Sequence, residues 1–72
     1  MTDKEKLELL AEAMDVPVEE LNEDDTLTGN IAWDSLSMLA FMASVSSKCG
    51  KKLLPNVVMN AVTVRDALNL IP

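Results

Sequence analysis

A central segment without charge is the feature that most restricts how this 72-residue chain can fold. No acidic or basic residue stands between Asp34 and Lys48, and most positions between them are apolar. Neither proline nor glycine interrupts the segment before Gly50, so the pattern predicts one helix from Ser35 to about Lys48. A helix with so little polar surface is either buried on several sides or contacts a core on one side and a partner on the other.

A capping pattern defines the helix that precedes this segment. Thr2 and Glu5 have the spacing of a capping box, and Pro17 prevents the helix from continuing far beyond Met14. The sequence therefore predicts a first helix from Asp3 to about Met14. Its apolar stripe is expected to comprise Leu7, Leu10, Ala11 and Met14.

Two further helices are predicted near the end of the chain. A short one begins at Pro55, which suits a first helical position, and runs to about Asn60. The last begins after Thr63, with Asp66 completing its capping box. It is expected to bury Val64, Ala67, Leu68 and Ile71. We therefore expect an all-α fold, a small four-helix bundle with three longer helices and one short, as a single domain over residues 1–72.

The first two helices are joined by a long acidic connection from Val18 to Trp33. A connection of this length is rarely featureless inside a compact domain. Residues 17–21 can form one helical turn. The apolar side chains expected to anchor the connection are Leu21, Leu27, Ile31 and Trp33.

The composition argues against several classes of protein. The chain has no histidine, so the commonest general base and metal ligand is missing, and an enzyme is not expected. The single Cys49 excludes a disulfide framework and is expected to act as a small buried apolar side chain. With one thiol and no apolar leader or long apolar span, we expect a cytoplasmic monomer that does not insert into membranes.

The charge is unevenly distributed along the chain. Residues 1–34 hold eleven carboxylates and two lysines, a net charge of −9, whereas residues 35–72 carry +3. The overall charge of −6 makes nucleic acid an unexpected partner, because phosphates are repelled. A basic surface on a partner protein is the natural complement.

Ser35 opens the uncharged helix within the sequence Trp33-Asp34-Ser35-Leu36. A hydroxyl there lies at the positive end of the helix dipole, beside unpaired backbone N–H groups, and this position favours an attached phosphodiester. A plainer interpretation is that Asp34 or Ser35 only caps the helix. A calcium loop over residues 24–35 is not expected, because threonines and Ser35 replace its carboxylates, and no metal site is predicted.

The whole chain resembles the acyl carrier protein family. The resemblance rests on Pro17-Val18-Glu19-Glu20-Leu21, Trp33-Asp34-Ser35-Leu36 and Thr63-Val64-Arg65-Asp66-Ala67-Leu68. It implies that Ser35 receives 4′-phosphopantetheine from coenzyme A through a phosphopantetheinyl transferase, with Asp34 and Leu36 helping recognition. It further implies that acyl groups are held on the arm as thioesters, while acyl-loading ligases, synthases or transferases act on them.

The second helix departs from the pattern of carriers for bulk fatty-acid synthesis, which resemble one another in acidic residues there. The positions where carboxylates are expected hold Ser37, Ala40, Ser46, Ser47 and Lys48. Docking is therefore expected to rest on apolar contact through Leu36, Met38, Leu39 and Met42, as in a specialised carrier with its own partners. Alternatively, the acidic connection supplies the electrostatic steering.

Cargo and class remain open at the level of sequence. The resemblance suggests that the acyl chain is sheltered between helices, and ordinary core packing explains the same side chains equally well. These candidates are Phe41, Met42, Val45, Val58, Met59 and Leu68. The chain can be an acyl carrier for fatty-acid, polyketide or related biosynthesis, or an aminoacyl or peptidyl carrier. The alternative from a different class of protein is an unmodified helical adaptor that binds partners through the Leu36–Val45 surface.

Overall fold

A computed structural model describes all 72 residues. The chain forms four α-helices and one 3₁₀ turn, and it has no strand. The helices are α1 (Asp3–Met14), α2 (Ser35–Cys49), α3 (Pro55–Met59) and α4 (Val64–Leu68), and the 3₁₀ turn (Val18–Glu20) follows α1. The predicted all-helical fold is confirmed, with its four helices in the expected order.

The helix limits follow from local capping. The predicted boxes are present at α1, between Thr2 and Glu5, and at α4, between Thr63 and Asp66. Helix α2 ends at Gly50, whose φ of 68° is left-handed. Glycine adopts that conformation without the steric cost that a side chain adds, so the predicted stop at this residue is confirmed.

One apolar core joins the helices. Helix α1 packs against α2 and α4, and α3 packs against α2. The largest side chains that are fully enclosed are Phe41, Leu10, Leu27, Leu68, Val45, Val58 and Val64. On α1 the structure buries Leu9 in addition to three of the four residues of the predicted stripe. The fourth, Leu7, is only half-buried.

The acidic connection is fixed to the segment between α3 and α4. The Leu27 N–H donates to the Val62 carbonyl at 2.7 Å, and the Val64 N–H donates to the Asp25 carbonyl at 2.9 Å. Among the predicted anchors, Leu21, Leu27 and Trp33 are buried. These contacts hold the end of the connection against the core just before α2 begins.

The prediction for the fourth anchor, Ile31, is wrong, because its side chain is 94% exposed. A tight turn explains this position. The Asn30 side-chain oxygen accepts a hydrogen bond from the Ala32 N–H at 2.9 Å, and the Trp33 N–H donates to the Asn30 carbonyl at 3.0 Å. Ile31 lies at the tip of this turn, where a side chain projects into solvent.

The expectation of three longer helices is wrong for α4, which has five residues. After Leu68 the chain tightens into turns, with Leu70 N–H bonded to the Ala67 carbonyl and Ile71 N–H bonded to the Leu68 carbonyl. Such tightening satisfies carbonyls at a helix end and still buries Ile71 as predicted. No helix here combines the length and the apolar character that crossing a membrane requires.

Candidate functional site

Ser35 is the first residue of α2, and its side chain is exposed. Asp34 stands before it in extended conformation as the N-cap. Trp33 is buried and holds the preceding backbone against α2, where its ring meets that of Phe41 edge-on, with centroids 6.0 Å apart. The structure therefore presents the Ser35 hydroxyl at the mouth of a helix whose start is anchored in the core.

Capping at this helix is carried out by Asp34 and Ser37. The Asp34 carboxylate accepts a hydrogen bond from the Ser37 N–H at 2.9 Å, and the Ser37 hydroxyl oxygen accepts one from the Asp34 N–H at 2.8 Å. Ser35 takes no part in this exchange. Of the two residues that could cap the helix, Asp34 is the cap, and Ser35 is left free of it.

The charge at the helix mouth is set by Asp34 and by the backbone. Hydrogen bonding from the Ser37 N–H is the largest cause that holds the pKa of the Asp34 carboxyl below its ordinary value. The first-turn amides of α2 have no acceptor one turn earlier in the helix, and the helix dipole is positive there. An anion linked to Ser35 meets this positive end, although the Asp34 charge beside it reduces the advantage.

An apolar groove begins beside Ser35 and runs between α2 and α3. Its volume is about 330 Å³, and Ser35 forms part of its wall. The other lining residues are Met38, Leu39, Met42, Pro55 and Met59. No charged side chain lines this groove, so a flexible apolar chain attached at Ser35 has a surface of matching chemistry within reach.

The residues expected to shelter an acyl chain fall into two groups. Met42 and Met59 line the groove. The other four are enclosed in the core, each at most 1% exposed: Phe41, Val45, Val58 and Leu68. The alternative of ordinary core packing therefore describes these four, whereas Pro55 forms part of the groove wall without having been predicted to do so.

The four residues expected to meet partners also differ in position. Leu36 and Leu39 are largely exposed, at 76% and 59%, whereas Met38 and Met42 are half-buried in the groove. Ser37 does not belong to this surface, because its side chain is buried in the cap of α2. Of the positions where carboxylates were expected, Ser37 therefore contributes to the helix cap through its bond to Asp34.

Two exposed apolar side chains, those of Ile31 and Leu54, were not predicted from the sequence to be exposed. Ile31 lies at a turn four residues before Ser35, and Leu54 precedes α3 with 59% of its surface exposed. The signal that Leu54 lies outside α3 was Pro55, because the residue before a proline is kept in extended conformation. For Ile31 the Asn30 turn was the available signal.

A second groove, of about 260 Å³, lies where α1, the acidic connection and α4 meet. Arg65 lines it and forms ion pairs with Glu23 and, at 3.4 Å, with Asp3. These carboxylates raise the pKa of the Arg65 guanidinium, with the Glu23 hydrogen bond as the largest cause. The groove is thus a charged joint between three elements, away from Ser35.

Cys49 is half-buried at the end of α2, and its thiol lies 3.4 Å from the Met1 sulfur. Its position agrees in part with the expected small apolar role, since it packs against the core without being enclosed. No three histidine, cysteine, aspartate or glutamate side chains are placed to share a metal ion.

Comparison with known families identifies one match. A family model described as a phosphopantetheine attachment site covers residues 7–71, a span that includes Ser35, the α2–α3 groove and all of α4. No curated protein matches the chain.

Proposed function

The chain belongs to the phosphopantetheine attachment family, whose domains bear covalent 4′-phosphopantetheine, and we propose that Ser35 is the residue that carries this group here. The observation that carries the proposal is the exposed Ser35 side chain at the first position of α2, next to an apolar groove. Because Asp34 and Ser37 satisfy the cap, esterification of Ser35 does not disturb the helix start.

The residues around Ser35 fit such a group. The serine oxygen holds the phosphodiester, whose negative charge then lies at the positive end of the α2 dipole. When bound, the group supplies a flexible arm that ends in a thiol to which carboxylic acids can be linked. The chain itself contributes position: the buried Trp33 and the Asp34 cap keep the attachment point at a fixed place on the surface.

The cargo is proposed to be an apolar acyl group. Three methionines, a leucine and a proline line the groove with Ser35, and methionine adapts its shape to variable apolar chains. A free ammonium group, as in an aminoacyl cargo, has no carboxylate in the groove to pair with. The groove therefore supports acyl rather than aminoacyl cargo, in fatty-acid, polyketide or related specialised biosynthesis.

Domains of this family are carriers that work with phosphopantetheinyl transferases and synthase partners, and they are not catalytic. We infer that Leu36 and Leu39 contact these enzymes, with Asp34 beside Ser35 aiding the transferase. A tethered cargo reaches each enzyme at high effective concentration, so weak contacts are sufficient. A small exposed apolar patch such as that of Leu36 and Leu39 suits transient binding to one enzyme after another.

Intact mass tests the attachment site. The purified chain is incubated with coenzyme A and a broad-specificity phosphopantetheinyl transferase, and we expect a gain of one phosphopantetheine. Ser35→Ala should abolish the gain, while Ser47→Ala, which removes an exposed hydroxyl near the far end of α2, should retain it. A native chain that stays unmodified would instead support the unmodified adaptor, and a gain that persists in Ser35→Ala would place the arm elsewhere.

Methionine methyl signals test the cargo. The chain has five methionines, of which Met38, Met42 and Met59 line the groove, while Met1 and Met14 lie outside it and serve as internal controls. Loading with an eight-carbon acyl group should shift the three groove signals and leave the other two in place. Loading with an amino acid should shift none of them. Equal shifts for both cargoes would refute the preference for apolar acyl groups.

A further inference from the structure

The segment from α2 through α3 carries a charge of unexpected sign. No carboxylate occurs between Asp34 and Asp66, so the only charged side chains from α2 through α3 are lysines. Lys48 has a weak pairing with Glu12 at 3.9 Å. Lys51 and Lys52 are exposed in the α2–α3 connection and form no ion pair. Two free positive charges therefore stand on this side of an otherwise acidic protein.

Exposed apolar side chains occur in the same part of the chain as these lysines. Leu54 follows Lys52 by two residues, and Met59 on α3 is 66% exposed. We define the α2–α3 face as Leu39, Lys51, Lys52, Leu54 and Met59. The apolar part of this face adjoins the proposed attachment site, because Leu39, Met59 and Ser35 line the same groove, while Lys51 and Lys52 lie toward the other end of α2.

The lysines act locally, despite the net charge of −6. The Debye length is about 8 Å at physiological ionic strength. The protein measures 27 × 24 × 18 Å, so carboxylates on its opposite side are largely screened from a partner on this face. Helix α2 has 15 residues and is therefore about 22 Å long, with Ser35 at one end and the lysines just beyond the other.

We propose that the partner enzymes dock on the α2–α3 face through an apolar patch bordered by carboxylates, which pair with Lys51 and Lys52. This inference rests on the proposed carrier function, and it replaces the expectation of a basic partner surface for this part of the molecule. Charge complementarity identifies the occupant as an acidic-bordered protein surface. A membrane with anionic lipids fits less well, because the rest of the protein is repelled by it.

Two synthetic peptides serve as probes of this face. Both form an amphipathic helix with the same leucine stripe, which is flanked by glutamates in one peptide and by lysines in the other. With the full-length chain labelled with ¹⁵N, the glutamate peptide should shift the amides of Leu39, Lys51, Lys52, Leu54 and Met59. Its affinity should exceed that of the lysine peptide roughly three- to tenfold, since each exposed ion pair adds little, and 0.5 M NaCl should reduce the difference.

Charge reversal provides the decisive comparison. The double variant Lys51→Glu/Lys52→Glu should invert the preference between the peptides. The matched control Lys4→Glu/Lys6→Glu makes the same change of charge on α1 and should keep the native preference. Circular dichroism verifies that both variants fold, as expected for changes on the surface.

Three outcomes overturn the proposal. The first is that the lysine peptide binds the face as tightly as the glutamate peptide. The second is that the shifts map to the acidic connection. The third is that anionic vesicles bind the chain with an affinity that the Lys51→Glu/Lys52→Glu variant loses. Modification of Ser35, measured separately by mass, distinguishes the two proposals. Intact modification without any peptide preference overturns the docking proposal alone, whereas absent modification overturns the carrier function.

Discussion

Neighbouring side chains at the start of α2 separate a structural task from a chemical one. Asp34 and Ser37 satisfy each other's backbone N–H groups across the first helical turn. Ser35 lies between them in sequence and remains exposed. A serine whose oxygen also accepted a capping hydrogen bond would become a weaker acceptor when esterified. The division of tasks therefore allows modification of Ser35 without a loss of helix stability.

Ser37→Ala tests this division at the level of one residue. We expect a loss of about 1 kcal/mol in the free energy of unfolding, because the Asp34 N–H loses its partly buried acceptor. The pKa of Asp34 should remain lowered, since the Ser37 backbone N–H that lowers it is retained. Urea denaturation and a carboxyl NMR titration measure the two quantities.

Ser47→Ala is the matched control on the exposed side of the same helix, where the change in stability should stay within about 0.5 kcal/mol. Equal stability of Ser37→Ala and the native chain would show that the reciprocal cap does not stabilise α2.

At the scale of single residues, the sequence predicted which side chain could be modified better than it predicted which side chains are buried. Ser35 could be identified as the candidate because the resemblance of the whole chain to a carrier family added to its local position at a helix start. Ile31 was predicted to be an anchor but is exposed by the Asn30 turn, and the burial of Ser37 by its bond to Asp34 was not predicted. The usual capping box has serine or threonine first and glutamate or glutamine last. The Asp34–Ser37 box has the acidic residue first, so it was not predicted from the sequence.

At the scale of elements, three helix starts depend on ionised carboxylates. The pKa values of Glu5, Asp34 and Asp66 are lowered, in each case chiefly by hydrogen bonding from a backbone N–H, that of Thr2, Ser37 or Thr63 respectively. A carboxyl whose pKa is lower in the folded state stabilises the fold above its unfolded pKa. That contribution is lost as the pH falls through the folded pKa.

We therefore expect the free energy of unfolding to fall below about pH 5, as the unfolded chain takes up protons first. Asp66→Asn should reduce the steepness of this fall, because the amide still accepts from the Thr63 N–H but does not titrate. Urea denaturation between pH 7 and pH 3 measures the effect. An unchanged pH profile in Asp66→Asn would contradict this account of the α4 cap.

The end of α2 depends on the left-handed conformation of Gly50, whose φ is 68°. Gly50→Ala should lower the free energy of unfolding by roughly 1 kcal/mol, the cost of placing a side chain in this conformation. No atom lies within 4 Å of the added Cβ, so a clash contributes nothing. Gly50→Asn should cost less, because asparagine tolerates the left-handed region. Equal losses for alanine and asparagine, measured by urea denaturation, would exclude this explanation.

The starts of α1 and α4 could be predicted from the sequence, whereas the attachment of the acidic connection and the α2–α3 groove, which depend on contacts between distant residues, could not. The boxes at Thr2 and Thr63 involve residues three apart, so the sequence contains all of their partners. The attachment of the acidic connection depends on hydrogen bonds such as that from Leu27 to Val62, which joins residues far apart in the chain. The groove likewise needs α3 beside α2, and its Pro55 wall could not be inferred from either helix alone.

Over the whole molecule, α2 contributes to both the core and the outer surface. Phe41 and Val45 are fully buried on one side, while Leu36 and Leu39 are exposed on another. The absence of charge in this helix therefore has two causes, one in packing and one in the proposed docking. A chain of this size has little stability to spare, roughly 4 to 11 kcal/mol in all.

Substitutions on the two sides of α2 should therefore have separate effects. Phe41→Ala removes a fully buried ring that packs against Trp33 and should cost about 3 to 5 kcal/mol, a large part of the total stability. Leu39→Ala, at 59% exposure, should change the free energy of unfolding by no more than about 0.5 kcal/mol. Urea denaturation of both variants measures the contrast. If Leu39→Ala destabilised the chain as much as Phe41→Ala, Leu39 would belong to the core. If it does not, any loss of enzyme processing in Leu39→Ala must arise at the surface, because the fold is intact.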